Sequence, residues 1–254
     1  MDFLLLIGSL VVGMAAGMLS ALFGIGGAML LIPAFRIFFG MSGHEAIATT
    51  IPLTIPTALV GAYNFHVKGM VKIKTAFVAG IVGAVFSIAG AYMTGFFDSS
   101  ALMWGIAFLF MVLAYASWEK NDDGKARWVP IEEKAYRTAF IGSLGGFLKG
   151  FFGIGGGAVV VPLLMRIRYL SMATAVPTSL AIIAVYSITS TAAHLAIGNI
   201  VFEVLVPVML GSIIGVTLMA NQVRRRDEEL RRKAFVVFIL FIATVIMVKE
   251  LFFA

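Results

Sequence analysis

Two glycine-rich segments have the residue types and spacing to bind an anion. Gly24-Ile25-Gly26-Gly27 and Gly153-Ile154-Gly155-Gly156-Gly157 each follow an apolar helix and precede a short one. The first amides of a helix have no intrahelical acceptor, and glycines let a ligand approach the backbone closely. The sequence therefore predicts that substrate contacts Gly24, Gly26, Gly27, Gly153, Gly155, Gly156 and Gly157. The alternative is that the glycines only permit tight turns and close helix contact.

Lys149 is the one basic residue that we place within an apolar segment, four residues before Gly153. Charge inside a membrane is costly and by default indicates function. We interpret Lys149 as a counter-charge for an anionic substrate; the alternatives are that it snorkels or pairs with a carboxylate. Ser20 holds the matching place before the first glycine segment, so the site is predicted to be asymmetric.

Four hydroxyl residues follow the glycine segments, close to helix prolines such as Pro52 and Pro177. Proline removes a backbone hydrogen bond from a helix. The hydroxyls could therefore donate to a substrate or satisfy freed carbonyls, and both readings stay open. The four predicted site residues are Thr49, Thr50, Thr178 and Ser179.

His66 and His194 lie near the ends of corresponding helices. Histidine can relay protons near neutral pH, so the two are candidates for a proton relay. The alternative is that they form part of the polar edge of the membrane.

The remaining motifs exclude most enzyme classes. The chain has no cysteine, so it can form neither a disulfide nor a thiolate metal site. The segment that begins at Gly153 matches G-x-G-x-x-A but follows an apolar helix, whereas the nucleotide-binding pattern follows a strand. We therefore expect no enzyme activity, no catalytic residue, no metal, no cofactor and no nucleic-acid partner.

The elements that position these residues are membrane helices. Of the 254 residues, 61% are hydrophobic and 13% are charged, whereas soluble domains are nearer half apolar and a quarter charged. The charges flank apolar runs of about 20 residues, which is the length that crosses a bilayer. The predicted partners are membrane lipid and a small anion, and homo-oligomerisation is left open.

The chain contains an internal repeat. Phe23-Gly24-Ile25-Gly26-Gly27 recurs from Phe152, an offset of 129 (152 − 23) that also pairs Gly13 with Gly142 and Pro33 with Pro162. We predict a first membrane repeat over 1–118, a polar cytoplasmic linker over 119–133 and a second repeat over 134–254. The predicted helices are 3–22, 29–39, 45–65, 73–96 and 101–118, then 135–152, 158–167, 173–197, 202–220 and 234–253.

The positions of the charged residues predict the topology. If each glycine segment only kinked a helix, the flanking Lys and Arg would divide evenly between the two faces. If each segment reverses the chain as a hairpin, all of them except Arg36 and Lys249 share one face, which the positive-inside rule makes cytoplasmic. We therefore predict an all-α fold of two inverted repeats, each a glycine-broken hairpin followed by three membrane helices, with both termini extracytoplasmic.

The duplicated F-G-I-G-G-[AG]-x2-[VIL]-[VIL]-P pattern, at 23–33 and 152–162, resembles the TauE/SafE sulfite exporter family. The E-A-I-A-T-T stretch at 45–50 and the histidine–glycine turns at 66–69 and 194–198 are similar to it too. The resemblance covers essentially the whole chain. It implies a bacterial inner-membrane permease for sulfite, sulfonates or related sulfur-containing anions.

Two functions follow from this reading. The first is a transporter that moves a small oxyanion by alternating access between inverted halves. The second is a passive anion channel, which could use the same helix termini.

Overall fold

The computed structural model describes residues 3–118, 135–154, 157–222 and 228–252. Within these ranges the chain is helical and contains no strand. The first five helices are α1 (Phe3–Phe23), α2 (Ala28–Phe38), α3 (Gly43–His66), α4 (Ile73–Met93) and α5 (Ser99–Trp118). A 3₁₀ turn, Thr94–Phe96, extends α4. The next five are α6 (Ala135–Phe152), α7 (Gly157–Ile167), α8 (Met172–Ile197), α9 (Leu205–Gln222) and α10 (Glu228–Phe252).

The predicted order of helices is confirmed, with two shifted starts in the second half. α9 begins at Leu205 rather than Phe202, which leaves Pro207 in its first turn, where a missing N–H costs least. α10 begins at Glu228 rather than Ala234, because Glu, Leu, Arg and Lys form helix well although they are not apolar. The predicted linker over 119–133 lies outside the described residues.

Six of the described helices are long and apolar enough to cross a membrane: α1, α3, α4, α8, α9 and α10. α5 was predicted to cross as well, but the apolar stretch described for it, Ser99–Tyr115, is shorter. The lengths and hydropathies indicate a multi-pass membrane protein.

α4 shows how the helices pack. Its buried residues are all small, among them Ala79, Gly83 and Gly90, whereas Phe77 and Val85 are 64% and 66% exposed. Large exposed apolar side chains suit lipid, and small residues let helix backbones approach each other. This arrangement is the reverse of a soluble core.

Two helix pairs pack backbone against backbone in parallel. In α1 and α9, a Cβ on Gly13 would lie 2.2 Å from the Val208 carbonyl oxygen, and one on Gly17 would lie 2.1 Å from that of Ser212. In α4 and α6, a Cβ on Gly146 would lie 2.1 Å from the Gly83 carbonyl oxygen. Glycines spaced four residues apart, such as Gly13 and Gly17, therefore let these helix backbones touch.

The central pair, α3 and α8, runs antiparallel. Thr54 contacts Ser187, and a Cβ on Gly61 would meet Leu180. Residue numbers therefore increase along α3 as those of the contacting residues decrease along α8. α3 runs parallel to α9, because Thr57 bonds to Ser212 and Gly61 lies against Val216. Since α1 is also parallel to α9, α1 and α3 point the same way. If α1 and α2 formed one kinked helix, α3 would return antiparallel to α1. Because α3 is parallel to α1, the chain reverses between them, as it does in a hairpin.

Gly17→Ala should destabilise the protein, whereas Gly8→Ala should not. The added methyl group at Gly17 would overlap the α9 backbone, but a Cβ on Gly8 of the same helix has no neighbour within 4 Å. Overpacking costs about 1–3 kcal/mol. Thermal unfolding in detergent measures the difference, and equal midpoints for the two variants would show that the α1–α9 contact is not tight.

Candidate functional site

The two glycine segments, far apart in the chain, meet in the fold. A Cβ on Gly157, the first residue of α7, would lie 1.9 Å from the Gly24 carbonyl oxygen and 2.3 Å from the Ile25 Cα. Only glycine leaves room for this contact. Gly155 and Gly156, which were predicted to bind substrate, lie outside the described residues.

The start of α2 is buried and has no side-chain cap. Gly27 takes the N-cap position with a φ of 80°, and no side chain bonds to the helix start. The amides of Leu30 and Leu31 bond to the Gly27 carbonyl, whereas those of Ala28 and Met29 come too early in the helix to reach an acceptor within it. Ala28 and Met29 are fully buried, so their amides are suited to a bound acceptor.

The predicted glycines differ in the space around them. A Cβ on Gly24 would come 2.5 Å from the Ser179 hydroxyl, and one on Gly153 would come 2.9 Å from the Ile47 carbonyl oxygen. At Gly26, by contrast, the nearest atoms belong to Ile183 and Thr54, at 3.4 and 3.5 Å. Close packing therefore explains Gly24, Gly153 and Gly157, whereas a Cβ on Gly26 would make only ordinary van der Waals contacts.

Lys149 is fully buried in the last turn of α6. Its ammonium nitrogen Nζ donates to the Thr54 hydroxyl at 2.7 Å and to the Gly153 carbonyl at 3.3 Å. No carboxylate of the described residues pairs with it. Within the described residues, Lys149 therefore neither snorkels to the membrane surface nor forms an ion pair, which were the two alternatives considered from the sequence.

Thr54 and Ser187 belong to this polar cluster, and sequence reasoning missed them. Thr54 donates to the Ile51 carbonyl at 2.7 Å, and its hydroxyl oxygen lies 3.1 Å from that of Ser187. Thr54 also lines the space at Gly26, so it connects Lys149 with the first glycine segment. Helical spacing could have found it, because Thr54 follows Thr50 by four residues and lies on the same face.

Thr50 and Ser179 lie against the glycine segments. The Ser179 hydroxyl is 2.9 Å from the Gly24 carbonyl and 2.8 Å from the Val176 carbonyl. Thr50 donates to the Ile47 carbonyl and would contact a Cβ on Gly153 at 3.2 Å. Both hydroxyls therefore form hydrogen bonds to backbone carbonyls at the edge of the site.

Thr49 and Thr178 instead accept hydrogen bonds from loops of the opposite half of the chain. The Val201 amide donates to the Thr49 hydroxyl at 3.0 Å, and the Lys72 amide donates to that of Thr178 at 3.1 Å. The two bonds correspond under the repeat, since Thr178 follows Thr49, and Val201 follows Lys72, by the same 129 residues (178 − 49 and 201 − 72). Neither hydroxyl bonds to Lys149.

The two histidines occupy different surroundings. His66 is exposed at the end of α3, whereas His194 is buried and its Nε2 donates to the Gly150 carbonyl at 2.9 Å. Because α3 and α8 are antiparallel, these helix ends lie apart. The structure does not bring the predicted relay together.

The buried polar atoms that lack a hydrogen-bond partner within the described structure include Ser20 Oγ, Ser190 Oγ and His194 Nδ1. An unsatisfied buried group costs about 1–3 kcal/mol, and a ligand or water is its usual partner. Ser20 is the residue that matches Lys149, and its carbonyl accepts from the Gly24 amide as that of Lys149 accepts from Gly153. Among the described residues, no group of three His, Asp or Glu side chains could hold a metal.

Arg36 forms a second polar contact that the sequence did not reveal. Its Nε donates to the Glu250 carboxylate at 3.0 Å, and Ser100 donates to the same carboxylate at 3.1 Å. The ion pair joins the end of α2 to α10 and α5. Arg36 is therefore neutralised and does not compete with Lys149 for an anion.

Comparison with known protein families assigns this bundle of membrane helices to one of them. The model of the Sulfite exporter TauE/SafE family matches residues 9–246. The chain belongs to this family. It is a membrane transporter and not an enzyme.

Relatives in the TauE/SafE family agree with this assignment. A probable membrane transporter protein of Methanocaldococcus jannaschii is 30% identical over 76% of this chain and 74% of its own length. The probable membrane transporter protein YunE of Bacillus subtilis is 28% identical over 79% of this chain and 81% of its own. No solved structure matches the chain.

Proposed function

We propose that this TauE/SafE protein carries a small sulfur-containing oxyanion, such as sulfite or an organosulfonate, across the bacterial inner membrane. The observation that carries the proposal is the arrangement around Gly26. A fully buried lysine, a hydroxyl and an uncapped helix start lie together where the two glycine segments meet.

The electrostatics of the site favour an anion. Lys149 supplies a full positive charge and α2 supplies the partial positive charge of its N-terminus. An oxyanion has several acceptor oxygens, which can bond to the ammonium and to the free amides of Ala28 and Met29 together. The family description favours a sulfur oxyanion, whereas the names of the relatives specify no substrate.

The packing supports transport by alternating access between inverted repeats. α3 and α8 correspond under the sequence repeat and run antiparallel, as inverted repeats require. α1 packs along α9 just as the corresponding α6 packs along α4. Transporters of this architecture hold substrate at the interface of the repeats, which is where the glycine segments touch. Their direct contact also favours a carrier over an open channel.

Counterflow in proteoliposomes tests the function. Sulfite, isethionate, sulfoacetate, taurine and sulfate would be offered as unlabelled internal substrates against labelled sulfite and labelled isethionate. A carrier accumulates label transiently, whereas a channel gives conductance without exchange. Failure to bind or exchange any sulfur oxyanion would reject the proposed substrate class.

The proposed orientation places both termini outside and the α3–α4 loop in the cytoplasm. Because the chain has no native cysteine, single cysteines can replace exposed residues one at a time. We expect Lys72→Cys and Gln222→Cys to be labelled from the cytoplasmic side and Asp98→Cys and Glu203→Cys from the other. Labelling of Lys72→Cys and Gln222→Cys from opposite sides would contradict the hairpin topology.

Gly26→Ala should impair transport more than Gly69→Ala does. The two glycines have nearly equal φ values, 68° and 69°, so alanine adds the same backbone strain of about 1–2 kcal/mol at each. Gly69 has no neighbour within 4 Å, whereas a methyl group at Gly26 would enter the proposed site. Similar unfolding midpoints with loss of counterflow in Gly26→Ala alone are expected; equal transport in both variants would reject the glycine site.

Lys149→Met should weaken substrate binding by about tenfold or more. Methionine keeps most of the side-chain volume but removes a charge-assisted hydrogen bond of about 1.5–3 kcal/mol, and about 1.4 kcal/mol is a factor of ten in affinity. Lys149→Arg should retain part of the affinity and Lys149→Glu very little. Wild-type affinity in a folded Lys149→Met protein would assign the lysine a purely structural role.

A further inference from the structure

Lys149 lies in surroundings that do not compensate a fixed charge. Its two hydrogen-bond partners, the Thr54 hydroxyl and the Gly153 carbonyl, are both neutral. The side chain has no exposed surface. A protonated amine has three N–H donors, and the structure supplies acceptors for two.

An ammonium in such surroundings is stable only while an anion compensates it. Burying an unpaired charge is so costly that the group becomes neutral instead. Two described carboxylates are bonded elsewhere: Glu250 is bonded to Arg36, and Glu45 accepts from the Ser42 amide at 2.8 Å. The charged state of Lys149 therefore depends on the substrate.

The helices packed against α6 carry a buried imidazole ring, that of His194 on α8, which bonds to the carbonyl of Gly150, the residue after Lys149. His194 is itself uncompensated by any described carboxylate, so it adds no negative charge to the site. The other described ionisable groups on these helices are His44, Glu45, Tyr63 and His66 on α3, Lys74 and Tyr92 on α4, Arg166 on α7 and Tyr186 on α8.

We propose that Lys149 takes up one proton with each substrate anion and releases it with that anion on the other side of the membrane, so that the protein is a proton–anion symporter. The inference rests on the proposed anion site. In the empty site the side chain is an amine; a proton from the first compartment adds to its lone pair as the anion binds. In the second compartment the N–H bond breaks, and proton and anion leave together. One proton moves per anion, so a monoanion is carried without net charge and a dianion carries one negative charge.

Isethionate is the probe for this test, because its sulfonate stays ionised at all working pH values. Sulfite binds protons itself, and these could not be distinguished from the protons that the protein takes up on binding. Titration calorimetry in two buffers of different protonation enthalpy gives the number of protons taken up per bound anion. For wild type at alkaline pH we expect this number to approach one.

Transport measurements test the same coupling. An inward isethionate gradient should acidify the lumen of wild-type proteoliposomes, and an imposed pH gradient should drive isethionate accumulation. Lys149→Arg keeps a permanent charge, so it should retain part of the exchange while losing both proton uptake on binding and accumulation driven by pH.

The outcomes separate the two proposals. If wild type binds and exchanges isethionate with no proton uptake, the coupling is overturned and the anion transporter stands. If proton uptake persists in Lys149→Arg and disappears in His194→Gln, the proton is carried by the histidine and the assignment to Lys149 is wrong. If wild type neither binds nor exchanges any sulfur oxyanion, the proposed function fails and the coupling fails with it.

Discussion

Backbone that leaves the helix within a membrane must find its hydrogen bonds inside the protein, because hydrocarbon offers none. The segment between α1 and α2 meets this constraint by lying against the start of α7, so closely that Gly157 has no room for a side chain. Ser179 bonds to the carbonyl of Gly24 at one end of the segment. No side chain caps the α2 helix start at the other end. The contact that joins the two halves thus leaves buried donors available to a ligand.

The close helix packing limits how this site can open. α1 of the first half meets α9 of the second through glycine and backbone, and α4 meets α6 in the same way. Each pair contains one helix from each half of the sequence. The two halves therefore cannot move apart as rigid bodies without breaking their tightest contacts. α3 and α8 meet through side chains instead, including Thr54 and Ser187. If access alternates as proposed, the movement is therefore expected at the α3–α8 contact, which includes Thr54 of the candidate site.

Periodicity and the repeat were enough to predict the helices and the glycine segments from the sequence. Lys149 was found because a charge in an apolar run is conspicuous. Its partner Thr54 was missed although it lies one helical turn after Thr50, because helical spacing alone does not show which hydroxyl faces the lysine of another helix. Thr49 and Thr178 were placed in the site by their proximity in sequence to the glycines, whereas each bonds to a loop of the other half. Contacts between halves depend on packing angles that no local pattern encodes.

The asymmetry between Ser20 and Lys149 gives the site a single charge. Two lysines at these matching positions, each one turn before a glycine segment, would repel each other in a medium that screens charge poorly. Serine avoids this repulsion and keeps a hydroxyl, which is buried and has no described partner. A single amine binds one proton at most, so the two-fold repeat leads to one ionisable centre rather than two. In the proposed mechanism Lys149 then determines the stoichiometry of transport, and the proposed inversion of the repeats gives that centre access to either side.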